Sequence, residues 1–252
     1  MENLIDHLKN KYLSLWWKTK VDFPKFEKEI SFFDKYTNEI KIKKFKNELL
    51  KELHQIPEDI NEKNKWSNKI FSLINEFEYE IIGYESSYMD FFANRKYTTV
   101  TEMFIREVSR FDPKMNVYDI FQAIRNVWIM NSIQILFDMK VRLTPSIFSY
   151  SMLYPYSDNY LDNPNISIIN KINFNERFRK WLSGEEIEAL NYHEKCIFLL
   201  IKKIENEFPR TTYPQVYDSL LSIHTAQQKS LLQQREKSFP YERDILGISF
   251  EK

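Results

Sequence analysis

The chain has 252 residues, enough for one large domain or two small ones. Its formal net charge is zero, which leaves no global field to draw in nucleic acid or an anionic membrane surface. Glycine occurs only 3 times and proline 9 times, too few for the turns of an all-β domain or the phosphate loops of a doubly wound α/β fold.

The expected fold is therefore all-α. Aromatic residues make up 16% of the chain, with 20 Phe and 15 Tyr, and supply material for a large core or a lined cavity. The single cysteine, Cys196 in CIFLLI, excludes an internal disulfide framework, fits a reducing compartment and reads as a buried, inert thiol. The N-terminal stretch MENLIDHLKNKYLSLWWKTK is too charged for a signal peptide. The longest apolar run, VWIMNSIQILF, is broken by Asn131, Ser132 and Gln134 and is too short to span a bilayer. These features predict a soluble, cytoplasmic protein with no integral membrane insertion and no nucleic-acid partner.

Residues 2–19 read as an amphipathic helix, with Leu4, Ile5, Leu8, Tyr12, Leu15 and Trp16 at helical spacing. Pro24 opens a segment with Phe26, Ile30 and Phe33 on one face. Residues 38–55 form a Lys-rich helix whose interleaved Glu residues mark a solvated outer face rather than a nucleic-acid or membrane surface. After the break at Pro57 and Asp59, residues 62–82 are helical again. There Asn68, Ser72 and Glu76 repeat every fourth residue, a spacing that resembles the second metal-binding triad of terpene cyclases but lies upstream of the acidic pair Asp158 and Asp162, against the usual order, and reads instead as an exposed polar stripe. Gly83 ends that helix, and residues 85–97 are short and aromatic.

A helix over 99–110, opened by Thr99 or Thr101, is expected to stop at Asp112-Pro113. The next, over 118–138, is apolar on most sides yet carries Gln122, Arg125, Asn126, Asn131 and Gln134. Polar groups on such a helix must be satisfied or functional. Arg125 has two readings, a structural ion pair or a partner for a carboxylate or phosphate.

Thr144 and Pro145 are the N-cap and first residue of a central helix that runs to about Asp162. It holds Asp158 and Asp162, and the i,i+4 spacing stacks these carboxylates on one face. Their neighbours are Tyr and Leu, and Pro155 precedes them. Two acids at the mouth of an apolar pocket make a hard-oxygen site that suits Mg2+ when a substrate phosphate completes its shell. The alternative is an ordinary solvated acidic face. A loop over 163–174, a helix over 185–208 and a last helix over 214–237 follow. On the last helix Leu220, His224, Gln227 and Leu231 share a face, so that His224 and Gln227 or Gln228 point into a polar cavity or remain plain core and surface residues.

The runs SYSMLYPYSDNYLDNP, FNERFRKWLSGEE and EFPRTTYPQVYDSLLSIHTAQQKSLLQQ together resemble a bacterial branch of the class I isoprenoid and terpenoid synthases. The resemblance covers roughly residues 118–249. It implies an antiparallel helical bundle around an apolar cavity, with Asp158 and Asp162 as the first acidic, magnesium-binding motif and a prenyl diphosphate as substrate. Ionising such a diphosphate requires charge on the leaving group to be neutralised by metal and by Arg or Lys, and the carbocation requires a dry aromatic cavity. Candidate substrate-binding residues are Arg125, Tyr154, Arg210, His224, Gln227 and Gln228, with Arg177 and Arg179 also in the matching region.

The chain departs from the family pattern in one respect. After Asp162 it offers only scattered acids, and its tail YERDILGISFEK stands where further bundle helices are expected. Three readings are open: the chain is shortened, metal binding is incomplete, or the second half-site comes from elsewhere; a bundle missing helices would expose an apolar face that favours a partner or a second copy. Two functions follow: a magnesium-dependent synthase-like protein, or a non-catalytic shortened bundle that binds or interacts. No linker is evident, so residues 1–252 read as a single helical domain, with N-terminal helices over 1–112 and the bundle-like region over 113–252.

Overall fold

The computed structural model describes residues 2–20, 22, 29–83 and 95–231. These residues are all-helical, with nine α-helices and no strand among them. They fall into two compact units, Met1–Val21 with Thr99–Lys252, and Asp22–Thr98. Among the described residues no helix is long and apolar enough to cross a membrane. The start of the segment opened by Pro24, most of the aromatic stretch 85–97 and the end of the last helix beyond 231 lie outside the described residues.

The smaller unit is a helical hairpin. α1 (Glu2–Lys18) belongs to the larger unit, and the hairpin consists of α2 (Phe32–Leu53) and α3 (Ile60–Phe77), the latter closing in a π turn over Glu78–Ile82. Ser31 caps α2 by accepting the Asp34 amide at 3.1 Å. The two helices run antiparallel, since Trp66 near the start of α3 donates to the Glu52 carbonyl near the end of α2, while Phe77 stacks on Phe45 at 4.2 Å. Gly83 takes φ 76, the left-handed geometry that ends the π turn. No residue of α2 is buried, so its lysines lie on a solvated face as expected. Asn68, Ser72 and Glu76 are likewise exposed.

The larger unit is built around one helix. α4 (Arg95–Phe111) begins earlier than the threonines predicted to open it, and ends as predicted at Asp112, whose carboxylate accepts the Lys114 amide. α5 (Val117–Leu136) is capped by Asn116, which accepts the Asp119 amide at 2.9 Å. Its buried Asn131 and Gln134 are paired with each other, and Gln134 holds the following turn by accepting the Arg142 amide at 3.1 Å. They stabilise the α5–α6 turn.

α6 (Pro145–Asp162) is the central helix. Thr144 caps it and Pro145 occupies its first turn, as predicted. It runs through Pro155, which has no N–H to donate to Ser151, and most of its residues are buried. α5 and α8 (Tyr192–Glu207) pack along it, both antiparallel. At one end the Ser146 amide donates to Glu207, and at the other Asn159 donates to Asp119 and Gln122.

α7 (Ile168–Leu182) contradicts the predicted loop over 163–174. Ser167 accepts the Asn170 amide at 3.3 Å and starts a helix that buries Lys171, Phe174, Phe178, Trp181 and Leu182. α8 starts at Tyr192 rather than 185, because Asn191 caps it and residues 185–191 form the connection from α7. α9 (Pro214–Ser230) packs on α7. One core links these helices, with Phe104 of α4 against Phe148 of α6 at 5.5 Å, and Trp181, Ile197, Leu200 and Ile201 fully enclosed. Each such side chain contributes about 1.5–3 kcal/mol by burial. Cys196 is buried, and burial raises its thiol pKa, consistent with an inert group.

Candidate functional site

α6 presents two turns of side chains, Tyr150, Leu153, Tyr154, Ser157 and Asp158, to a cavity of about 140 Å³. α7 closes it with Phe178 and Leu182, α9 with Leu220, Ile223, His224 and Gln227, and α5 adds Asn126. The positions on α6 follow from helix geometry, since steps of three and four residues return to one face. The cavity is mainly apolar, with Tyr154, Ser157 and Gln227 as the polar residues next to Asp158.

Asp158 is buried, with 7% of its surface exposed, whereas Asp162, one turn further on, is exposed. A buried carboxylate needs partners. Gln227 Nε2 donates to Asp158 Oδ1 at 3.3 Å and to Ser157 Oγ at 3.0 Å, and Ser157 in turn donates to the Leu153 carbonyl at 2.8 Å. Tyr154 supplies a second partner. Burial raises the pKa of its phenol, and the Asp158 carboxylate, which it hydrogen-bonds, and the charge of Asp162 push in the same direction, while Arg125 opposes them. The charges of Asp158, Asp162 and Arg125 thus all act on the Tyr154 phenol. Arg125 itself is exposed on α5.

His224 is 1% exposed. Its Nε2 lies 2.9 Å from the Asn175 carbonyl and its ring meets Phe178 edge-on at 5.2 Å. Burial lowers its pKa to about 4, so the ring is neutral near pH 7. Gln228, by contrast, is exposed on α9 and does not line the cavity.

Two of the arginines considered near a diphosphate are committed elsewhere. Arg210 donates through Nη2 to the Trp181 carbonyl at 2.9 Å and through Nη1 to the Leu182 carbonyl, pairs with Glu205, and lies 3.8 Å from the centre of the Tyr217 ring. It caps the C-terminus of α7 and is not among the cavity residues. Arg177 binds the buried Glu194 through Nε at 3.1 Å and the Glu188 carbonyl. Arg179 is exposed. The structure sets Asp158, Tyr154, His224 and Gln227 around one cavity; Asp162 and Arg125 are exposed and do not line it, and Arg210 and Gln228 lie apart.

Residues that the sequence reading did not single out complete the site: Tyr150, Leu153, Ser157, Phe178, Leu182 and Ile223. The first three are readable, because Tyr150, Leu153 and Ser157 step by three and four residues along the helix that carries Asp158. Phe178 and Leu182 are not, since they reach the cavity only through the packing of α7 against α6 and α9.

On the opposite side of α6 lies a more polar hollow lined by Asp112, Asp119, Tyr156 and His193. Its acids serve the scaffold. Tyr156 and Tyr192 donate to Asp112, and Asn116 and Asn159 donate to Asp119.

Among the described residues no three metal-ligating His, Cys, Asp or Glu side chains stand together. A magnesium ion keeps several waters and takes one or two carboxylates plus phosphate oxygens from its ligand. Asp158 and Asp162, one turn apart on the same helix, are a hard-oxygen pair that fits this requirement. No family model, curated protein or solved structure matches the chain.

Proposed function

We propose that this protein binds a small organic diphosphate through magnesium held by Asp158 and Asp162, with the hydrocarbon part of the ligand in the adjoining cavity. The observation that carries the reading is a buried carboxylate, Asp158, lining an apolar cavity, with an exposed carboxylate one turn further on the same helix and the charge of Arg125 acting on the Tyr154 phenol. The resemblance to class I isoprenoid synthases supports a prenyl diphosphate in particular.

Magnesium, when bound, neutralises charge on the diphosphate and so favours its departure. The chain's own residues then have definite tasks. Gln227 and Tyr154 hold Asp158 in place. Arg125, exposed on α5, offers a positive charge for a phosphate oxygen. Tyr150 and Phe178 present aromatic faces to the hydrocarbon, and Leu153, Leu182, Leu220 and Ile223 keep water away. At about 140 Å³ the cavity is smaller than most ligand sites, which run about 300–1,000 Å³. A five-carbon chain is therefore the favoured substituent over a fifteen-carbon one.

Titration calorimetry with a five-carbon and a fifteen-carbon allylic diphosphate, each with and without magnesium, tests this. Magnesium-dependent binding of the shorter compound is expected. Absence of binding by both contradicts the reading.

A second reading is a non-catalytic bundle that binds without ionising its ligand. The commitment of Arg177 and Arg210 to scaffold contacts favours it, since both would otherwise serve the leaving group. Release of inorganic diphosphate by the purified chain would exclude it. The outward face of α5, with Tyr118, Phe121, Ile129 and Leu136 exposed, is the natural place for a partner in that case.

A further inference from the structure

We infer that the second half of α1 anchors the protein to the surface of an anionic lipid bilayer, with Tyr12, Leu15, Trp16 and Trp17 seated among the headgroups and Lys11, Lys18 and Lys20 on the lipid phosphates. The inference stands apart from the cavity and goes beyond the diphosphate reading.

Lys9 of α1 is buried, but over residues 11–20 every residue except Leu13 is exposed. Among the described residues no other helix packs along α1. Thr19 closes this end of the helix by donating to the Leu15 carbonyl at 2.8 Å. An amphipathic helix draws most of its stability from packing its apolar face. Here that face stays open: Trp16 is 61% exposed, Trp17 67%, Leu15 49% and Tyr12 44%. Large apolar side chains left together on a surface mark an interaction site.

Charge and geometry choose the occupant. Residues 11–20 include three lysines and no acid, so this end of α1 is locally cationic although the whole chain is neutral. Lys11 and Lys18 stand four residues before and three after Leu15, and so flank it on the helix surface. A second copy of α1 laid on this end would set lysine against lysine, which disfavours self-pairing. Trp16 and Trp17 are successive residues and point about 100° apart around the helix. A groove on a partner protein takes one side of a helix and leaves one of the two indoles in water. A bilayer interface surrounds a helix end and accepts both. Indole and phenol rings combine an apolar body with a polar edge, which suits the headgroup level. Lysines beside them extend their ammonium groups to the phosphates. With 17 residues and several charges α1 does not cross a bilayer, so it lies in the interface.

The test is flotation of the full chain with vesicles of phosphatidylcholine alone and of phosphatidylcholine mixed equally with phosphatidylglycerol. Binding to the anionic vesicles should be roughly hundredfold tighter, since each lysine near the surface contributes about fivefold. It should fall to the neutral-vesicle level in a Lys11→Gln, Lys18→Gln, Lys20→Gln variant. A Trp16→Ser, Trp17→Ser variant alters only exposed side chains, so it should melt like wild type and bind anionic vesicles about tenfold or more weakly. Brominated lipid should quench tryptophan fluorescence in wild type and not in this double variant. Absence of binding to anionic vesicles, equal binding to both vesicle types, or binding that the double variant retains in full overturns the inference. So does a lipid-free dimer in sedimentation equilibrium that the double variant abolishes, since a second copy would then cover the aromatic end. Should the double variant fail to fold, the lysine variant decides, and undiminished binding by it overturns the inference. Vesicle binding needs neither magnesium nor a diphosphate, so its failure leaves the diphosphate reading as it stands.

Discussion

At the scale of single residues, environment decides between groups that look alike in the sequence. Asp158 and Asp162 differ by one helical turn, yet one is enclosed and held by Gln227 and the other meets solvent. His224 shows the same dependence. Its pKa falls from an ordinary 6.5 to about 4 because burial disfavours the charged ring. The unfolded chain therefore takes up a proton below pH 6.5 that the folded chain refuses until about pH 4. Stability from this group is fully present above the higher value and is lost as pH falls towards the lower, by on the order of 3 kcal/mol. Burial also lowers the pKa of His193, which contributes in the same direction. Urea melts of wild type and His224→Phe at pH 7 and pH 4 should show a smaller acid loss in the variant. Parallel losses in the two proteins would mean that His224 is not the neutral buried ring described.

The elements were legible where local chemistry spoke clearly. Thr144-Pro145 opening α6, the acid pair on one of its faces and the stop at Asp112 all followed from caps and spacing. The start of α7 did not, because NPNISIINK carries β-branched and Asn residues that only weakly favour helix and its first residues are exposed; the Ser167 cap opens the helix, and its buried residues run from Lys171 to Leu182. The start of α8 was placed too early because the acidic run 185–188 reads as a helical first turn, whereas the cap is Asn191. The scaffold contacts of Arg210 were not legible for a related reason. A helix C-terminus leaves carbonyls without partners, and Arg210 meets those of Trp181 and Leu182 across 28 or more residues of sequence, which no local pattern announces.

That geometry separates scaffold from site. Arg210→Ala should cost about 2–3 kcal/mol in stability while leaving ligand affinity unchanged. Arg125→Ala, at an exposed position, should shift stability by no more than about 0.5 kcal/mol but weaken magnesium-dependent diphosphate binding about tenfold. Denaturant melts and calorimetry on both variants check this pair. Loss of affinity in the first with none in the second would reverse the assignment. Gly184 belongs to the same corner. It takes φ 93 just after α7, and a Cβ there would come within 3.2 Å of Arg210 Nε. Gly184→Ala should therefore destabilise by about 1–2 kcal/mol, measured by the same melts.

At the scale of the whole molecule, low glycine content and pervasive 3.6-residue periodicity made the all-α class readable. The arrangement of helices around α6 was less so, because it depends on which apolar faces meet across long sequence separations. The cavity illustrates this: its α6 wall could be counted from Asp158, but its α7 and α9 walls arise only from packing.

The central claim is that Asp158 and Asp162 form a magnesium-dependent site for an organic diphosphate. The most direct measurement is a thermal-shift titration of wild type and the Asp158→Asn, Asp162→Asn double variant with a five-carbon allylic diphosphate, with and without magnesium. A ligand that binds only the folded state must stabilise it. Wild type should gain about 5 °C or more at a ligand concentration a hundredfold above Kd, only when magnesium is present. The double variant should gain nothing. A shift of equal size in both proteins, or none in wild type under either condition, would contradict the account.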